Sequence, residues 1–233
     1  MSHLKRLLAP KYWKINKKEF TWTVSPSPGP HKKSECIPLL IIVRDILKIV
    51  DTAKEAKSII SRGEILVDGK PRKNYKYPTG LFDVISIPKI GKYYRIVPYK
   101  NGFKLVEIPE AESKLKILKI NNITAVKGGK FQLNLNDGKN ILVEKKNYST
   151  GDSILVEVPS LKIIKHLPLK KGSLVVATKG RMSGRIGRVE EIKEGKFKTP
   201  AKLICDIEGK KVEVLKEHAI VVGEEKPEIS LGE

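Results

Sequence analysis

The sequence predicts a modular α+β protein built from several small domains, and three observations predict it. Residues 37–63 carry helix punctuation and run directly into strand-like sequence. From residue 91 onward, short apolar segments alternate with turn residues. The first 36 residues are rich in lysine and broken by prolines at 26, 28 and 30, which preclude regular structure there. The divisions expected are an extended basic N-terminal arm over 1–36, a helix-and-strand domain over 37–90, a central small β domain over 91–168, a C-terminal β domain over 169–223 and a tail over 224–233.

Each element has a local cause. Pro38 opens a first helix at its tolerated first position, and "LLIIVRDILKIV" continues it with Arg44 and Lys48 one turn apart. A second helix begins at the capping box formed by Thr52 and Glu55 and stops at Gly63, placed where a left-handed glycine belongs. Ala53, Ala56, Ile59 and Ile60 form its buried stripe, and Lys54, Lys57 and Ser61 fall on another face. "EILVDGK" is a strand ending in an Asp68-Gly69 turn, and "LFDVISIP" is a second strand. Further along, "PEAESKLKILK" holds one short helix, and Asn136, Asp137 and Gly138 mark a hairpin within "GGKFQLNLNDGKNILVEKK". "GSLVVAT", "GRVEEI", "AKLICDIEG" and "KVEVLKEHAIVVG" supply the C-terminal strands, before an acidic tail, "EEKPEISLGE".

Composition narrows the function. Of the 233 residues 40% are hydrophobic, enough for cores, and only 6% are aromatic, so those cores should be aliphatic. Lys and Arg number 46 against 26 Asp and Glu, a net charge of +20. Like charges repel within a compact body, and a polyanionic partner relieves that repulsion; nucleic acid is the commonest and anionic membrane the rival. "CIPLLIIV" is the longest apolar run, too short to span a bilayer, and "MSHLKRLLAPKYW" lacks the apolar region of a signal peptide, so a soluble intracellular protein with no membrane partner is expected. Cys36 and Cys205 fit no metal spacing and read as two reduced thiols. His3, His31, His166 and His218 are scattered without partner spacing. No P-loop occurs and "GRIGRV" is not a dinucleotide fingerprint, so no enzyme, cofactor, metal or small-molecule substrate is expected.

Three stretches carry binding chemistry. The arm mixes Lys5, Arg6, Lys11, Lys14, Lys17, Lys18, Lys32 and Lys33 with Tyr12, Trp13, Trp22 and His31. Cations beside flat rings suit a limb that lies in RNA grooves and stacks on unpaired bases, and its composition suits folding on binding; the alternative is an idle disordered tail. In "KGRMSGRIGRV", Gly180, Gly184 and Gly187 stand among Lys179, Arg181, Arg185 and Arg188. Glycine permits tight turns and close backbone approach, so a phosphate chain would meet bare amides ringed by cations; alternatively the glycines only serve the turns of a small β domain. That stretch resembles the KOW motif of ribosomal proteins and transcription elongation factors, which implies an SH3-like β barrel.

The third stretch is "AKSIISRGEILVDGKPR", which resembles the S-four-type RNA-binding domain. Lys57, Arg62, Lys70 and Arg72 match that family's basic positions, with Lys54 and Lys73 alongside, and the resemblance implies a grip on RNA backbone. Otherwise these residues are an ordinary solvated face. In order, the basic arm, "GPHKKSECIPLLIIVRD", the S-four-type stretch, "YPTGLFDVISI", a β domain, the KOW stretch and "EKPEISL" resemble the small-subunit ribosomal protein family S-four-e of archaea and eukaryotes over essentially the whole chain. The ending "EISLGE" lacks the basic extension expected of a eukaryotic member, which favours an archaeal form. The resemblance implies a structural component of the cytoplasmic ribosome whose partners are small-subunit ribosomal RNA and neighbouring ribosomal proteins. Two readings compete with it: a free KOW-containing transcription or translation factor, and an RNA-modifying enzyme. Pseudouridine synthases carry such a domain, but the G-R-L-D context they need is missing here.

Overall fold

The computed structural model describes residues 4–100, 102–144, 147–197 and 199–232; His3, one of the four scattered histidines, lies outside them. The chain divides into two compact units, Met1–Ile96 with Gly102–Lys114, and Val97–Asn101 with Leu115–Glu233. Strands dominate both, and among the described residues the only helix of more than two turns is Ala53–Ser61. The expected α+β class is therefore corrected to a mostly β, multi-sheet protein.

The missing helix has a physical reason. Pro38 keeps an extended backbone (ψ 138°), so the helix starts only at Leu39–Ile41 and at once widens into a π turn over Ile42–Ile46. The amide of Leu47 donates to the carbonyl of Ile42, five residues back, at 2.8 Å, and Lys48 then turns left-handed at φ 50°. The run is too apolar to stay at a surface; Leu39 to Val43 are all buried. Helix Ala53–Ser61 behaves as its punctuation demands, with both capping-box bonds formed and Gly63 at φ 76°. Ala56 and Ile60 close over the same core.

An antiparallel sheet, in the first unit except for residues 97–99, runs Lys70–Pro71, Leu66–Val67, Val84–Ile87, Lys92–Tyr99, Gly102–Ile108 in spatial order. Asp68 (φ 52°) and Gly69 (φ 71°) make the tight turn between its first two strands, and the Asp68 carboxylate accepts the amide of Val84 at 3.2 Å. The expected division at residue 90 cuts through this sheet, since Ile85 pairs with Tyr94 across it. Buried Arg95 on the added strand reaches the carboxylate of Glu112 at 2.7 Å and its carbonyl at 3.0 Å, which ties the short helix Glu110–Ser113 to the first unit.

Residues 4–36 are no loose limb. Ala9 and Trp13 belong to the same core as Leu39–Val43 and Ile60. Trp13 is 1% exposed, and its indole N–H donates to the carbonyl of Cys36 at 2.9 Å. Arg6 is fully buried, its guanidinium 2.7 Å from Asp45 and 3.1 Å from Glu19. The short strands Leu4–Lys5 and Trp22–Thr23 pair across the segment. The proline-rich stretch lacks regular structure, as expected, and so do residues 14–21.

The second unit holds two five-stranded antiparallel sheets. The central one orders Asn140–Val143, Lys130–Leu135, Leu115–Val126, Ser153–Glu157 and Lys162–Leu167 around Leu118, Ile120, Leu133, Ile154 and Val156. Asp137, in the predicted hairpin, is buried between Lys116 at 3.4 Å and Lys139 at 2.9 Å. Burial alone would raise its pKa, but those two ammonium groups hold it below the usual carboxylate value. The C-terminal sheet is a meander of Lys210–Leu215, Lys202–Ile207, Ile186–Lys193 and Leu174–Ala177, closed by Ala219–Gly223 returning beside Leu174–Ala177. Lys119 joins the two sheets: its buried ammonium donates to the carbonyls of Lys216, Glu217 and Ala219 at 2.6, 2.9 and 2.8 Å. Burial lowers its pKa to about 8, with Lys216 adding to the shift.

Candidate nucleic-acid interface

The buried charges balance. Among the described residues, Arg6, Arg95, Lys116 and Lys119 are the buried cations, and Asp68, Asp83, Asp137 and Asp152 the buried carboxylates. Four against four leaves the interior neutral, so the surplus of +20 is carried outside it.

The arm divides into anchors and presenters. Arg6 and Trp13 are anchors, and the expectation that they touch RNA is corrected, since neither presents a face to solvent. Tyr12 is half-buried, its hydroxyl donating to the carbonyls of Lys33 and Cys36 at 3.1 and 3.2 Å and its ring edge-on to Phe103; burial pushes its pKa up to about 12. His31 likewise packs inward, with Nε2 3.0 Å from Asp83 and its ring where a side chain on Gly80 would stand, so a solvent-facing role for it is also corrected. Lys5, Lys11, Lys14, Lys32 and Lys33 are exposed. Trp22 is 56% exposed and stands across the strand pair from Lys5. Phe20, which the sequence reading passed over, lies under the guanidinium groups of Arg6 and Arg44 at 5.2 and 4.9 Å.

Still within the first unit, Lys54, Lys57, Arg62, Lys70 and Lys73 are exposed, while Arg72 is half-buried. Lys57 sits 4.8 Å above the ring of Tyr75, and Arg72 sits 4.5 Å from that of Tyr77. These rings hold two of the expected cations in place without neutralising them. The signal was readable, as "KNYKYP" alternates cation and ring. Arg62 lies 3.9 Å from Glu64, too loose and exposed a pair to confine it.

In the second unit the glycine-rich loop joins Leu174–Ala177 to Ile186–Lys193. Its glycines serve three different ends. Gly180 takes φ 85° with open space where a side chain would be. At Gly184, φ 86°, an added Cβ would lie 2.6 Å from the Pro98 carbonyl oxygen and 2.8 Å from Tyr99 Cα. Gly187 lies within a strand, where a Cβ would strike Ile207 Cγ1 at 2.6 Å. At Gly184 and Gly187 the close approach that glycine permits is thus taken up by the protein's own chain. The amides of Ser183, Gly184 and Arg185 already donate to the carbonyls of Gly180, Ala177 and Met182, so the expectation of bare amides is corrected at those three positions. The cations do face outward: Lys179, Arg181, Arg185 and Arg188 are exposed, with Arg185 in a surface pair to Glu208 at 2.9 Å.

Comparison with known proteins gives the same direction. The ribosomal family S4e model matches residues 90–163, and the RS4NT domain model matches residues 2–34, the arm. The chain is 50% identical to the small ribosomal subunit protein eS4 of Korarchaeum cryptofilum, covering 98% of this chain and 96% of that one. It is 47% identical to the eS4 protein of Archaeoglobus fulgidus, covering 99% and 98%. The crystal structure of the 30S ribosomal protein S4e from Thermoplasma acidophilum is similar at a TM-score of 0.72 and 28% identity, over 85% of this chain and 99% of that chain. With identity near one half over nearly the full length of both chains, this chain belongs to the ribosomal S4e family.

Proposed function

We propose that the protein is a structural, non-enzymatic component of the small ribosomal subunit, acting in translation in the cytoplasm and held in place by contacts between its exposed cations and ribosomal RNA phosphates. The observation that carries this is the neutral interior, which leaves a surplus of +20 to the residues outside it. Lys54, Lys57, Arg62, Lys70, Arg72 and Lys73 form one group of phosphate contacts, on a stretch read as an S-four-type domain. Lys179, Arg181, Arg185 and Arg188 form another, on a stretch read as a KOW domain with an SH3-like barrel. Lys5, Lys11, Lys14, Lys32 and Lys33 serve the arm, with Trp22 as its stacking ring. Separate weak grips joined in one chain reinforce one another through effective concentration. Neighbouring ribosomal proteins are the remaining partners.

The test is the salt dependence of binding to small-subunit ribosomal RNA. Log affinity should fall linearly with log salt, by roughly 0.7–0.9 per phosphate contacted. Replacing Arg181 and Arg185 together by Ala should lower that slope by about two such increments while leaving the thermal midpoint in place, as both side chains are exposed. A flat salt response in the unaltered protein would overturn the proposal.

A further inference from the structure

The hairpin joining strands Ile186–Lys193 and Lys202–Ile207 ends in a feature that the fold does not need. Lys196 and Thr199 exchange both backbone hydrogen bonds, at 3.0 and 2.9 Å. Between them stands Phe197, 103% exposed and so packed on none of the described residues. Gly195 narrows the neck below it; a Cβ there would lie 2.8 Å from the Ala201 amide nitrogen and 2.9 Å from the Thr199 carbonyl oxygen. Lys196 at the neck is exposed, as are Lys193 and Glu194 behind it.

We propose that Phe197 is a stacking finger that takes an unpaired base of the RNA, with Lys196 meeting the adjoining phosphate. The inference rests on the function proposed above and adds to it a contact of different chemistry. A large apolar ring held fully in water gains nothing for the folded state. A flat ring beside an ammonium offers what a splayed-out nucleotide presents, a π face and a phosphate. The finger is also a separate site from the glycine-rich loop. The two lie at opposite ends of the eight-residue strand Ile186–Lys193, a length of roughly 25 Å at strand rise.

Full-length protein carrying Phe197→Ala, Phe197→Leu, Phe197→Trp or Lys196→Gln would be titrated with small-subunit ribosomal RNA over a range of salt. Phe197→Ala should weaken binding roughly five- to a hundredfold, the effect of losing one base stack. The loss should be the same at every salt concentration, because stacking releases no counterions. Phe197→Leu should lose as much as the alanine variant, and Phe197→Trp should bind at least as well as the unaltered protein. Lys196→Gln should instead flatten the salt slope by roughly 0.7–0.9. All four variants should keep the thermal midpoint, since the finger buries nothing. Unaltered affinity in Phe197→Ala, in a protein that otherwise binds RNA steeply with salt, refutes the finger alone. Full affinity in Phe197→Leu refutes stacking and assigns the tip to an apolar pocket, as on a protein. An unaltered protein with no affinity for the RNA refutes both proposals together.

Discussion

Alanine at Gly180 and at Gly184 separates the two reasons for which a glycine can sit in a basic loop. Both residues have φ near 85°, a region where a side chain costs about 1–2 kcal/mol of backbone strain. At Gly180 nothing else is added, since no atom lies within 4 Å of the new Cβ. At Gly184 the new carbon would stand 2.6 Å from the Pro98 oxygen and 2.8 Å from Tyr99 Cα, both backbone atoms that cannot rotate away. Forcing such a contact apart adds about 1–3 kcal/mol and strains the 2.8 Å bond from the Gly184 amide to the Ala177 carbonyl. Gly184→Ala should therefore lose about 2–5 kcal/mol in urea unfolding, and Gly180→Ala about 1–2 kcal/mol. In RNA titrations the slope against salt should be unchanged for both, as neither removes a charge. If Gly180→Ala proves the more destabilising, or Gly184→Ala matches it, the packing argument fails. If Gly180→Ala abolishes RNA binding at unchanged stability, the open space at Gly180 is occupied by RNA backbone.

Two further predictions concern buried groups. Trp13 and Trp22 are the only tryptophans, so Trp22→Phe should leave blue-shifted emission resistant to iodide and Trp13→Phe a red-shifted, quenchable one; Trp13→Ala should lose about 3–5 kcal/mol of stability and Trp22→Ala under about 0.5 kcal/mol, while equal quenching of the two would contradict the anchored arm. Lys119 should report on pH. Its native pKa of about 8 lies below the 10.5 of the unfolded chain, so between those values the unfolded state binds a proton that the native state lacks, and stability from this site rises with pH. The stability of the unaltered protein minus that of Lys119→Met should climb by about 1.4 kcal/mol per pH unit from pH 8 to 10; a flat difference would mean that the three carbonyls keep the ammonium charged throughout.

What was legible in the sequence is what local chemistry decides. Thr52, Glu55 and Gly63 fix helix Ala53–Ser61 within its own dozen residues, and the turns at Asp68-Gly69 and Asn136 to Gly138 are set by the residues that occupy them. The burials were hidden because their causes are distant. Arg6 is neutralised by Asp45, 39 positions on, and Trp13 finds its carbonyl 23 positions on. Strand periodicity fails in "KLKILKI" for a related reason. Lys116 and Lys119 point to opposite faces of one strand and both are buried, one against Asp137 and the other against the carbonyls of Lys216, Glu217 and Ala219. A lysine at such a position reads as solvent-facing until its partner is known. The π turn at Ile42–Ile46 left no local trace either, since an unbroken apolar run suits an ordinary helix equally well.

The division of the arm has an energetic consequence. A segment that orders only on meeting RNA loses several kcal/mol of affinity to its own ordering, on the scale of roughly 1–2 kcal/mol for each backbone residue fixed. Here Arg6 in its ion pairs and Trp13 in the core fix the segment before any partner arrives. Lys5 and Trp22, held side by side by the short strand pair, would then meet the proposed polyanion already in position. Anchoring and binding fall on different residues, so they fail differently. Loss of an anchor should appear first in unfolding and only then in affinity, whereas loss of a presented lysine should flatten the salt response of a protein that melts where it did before.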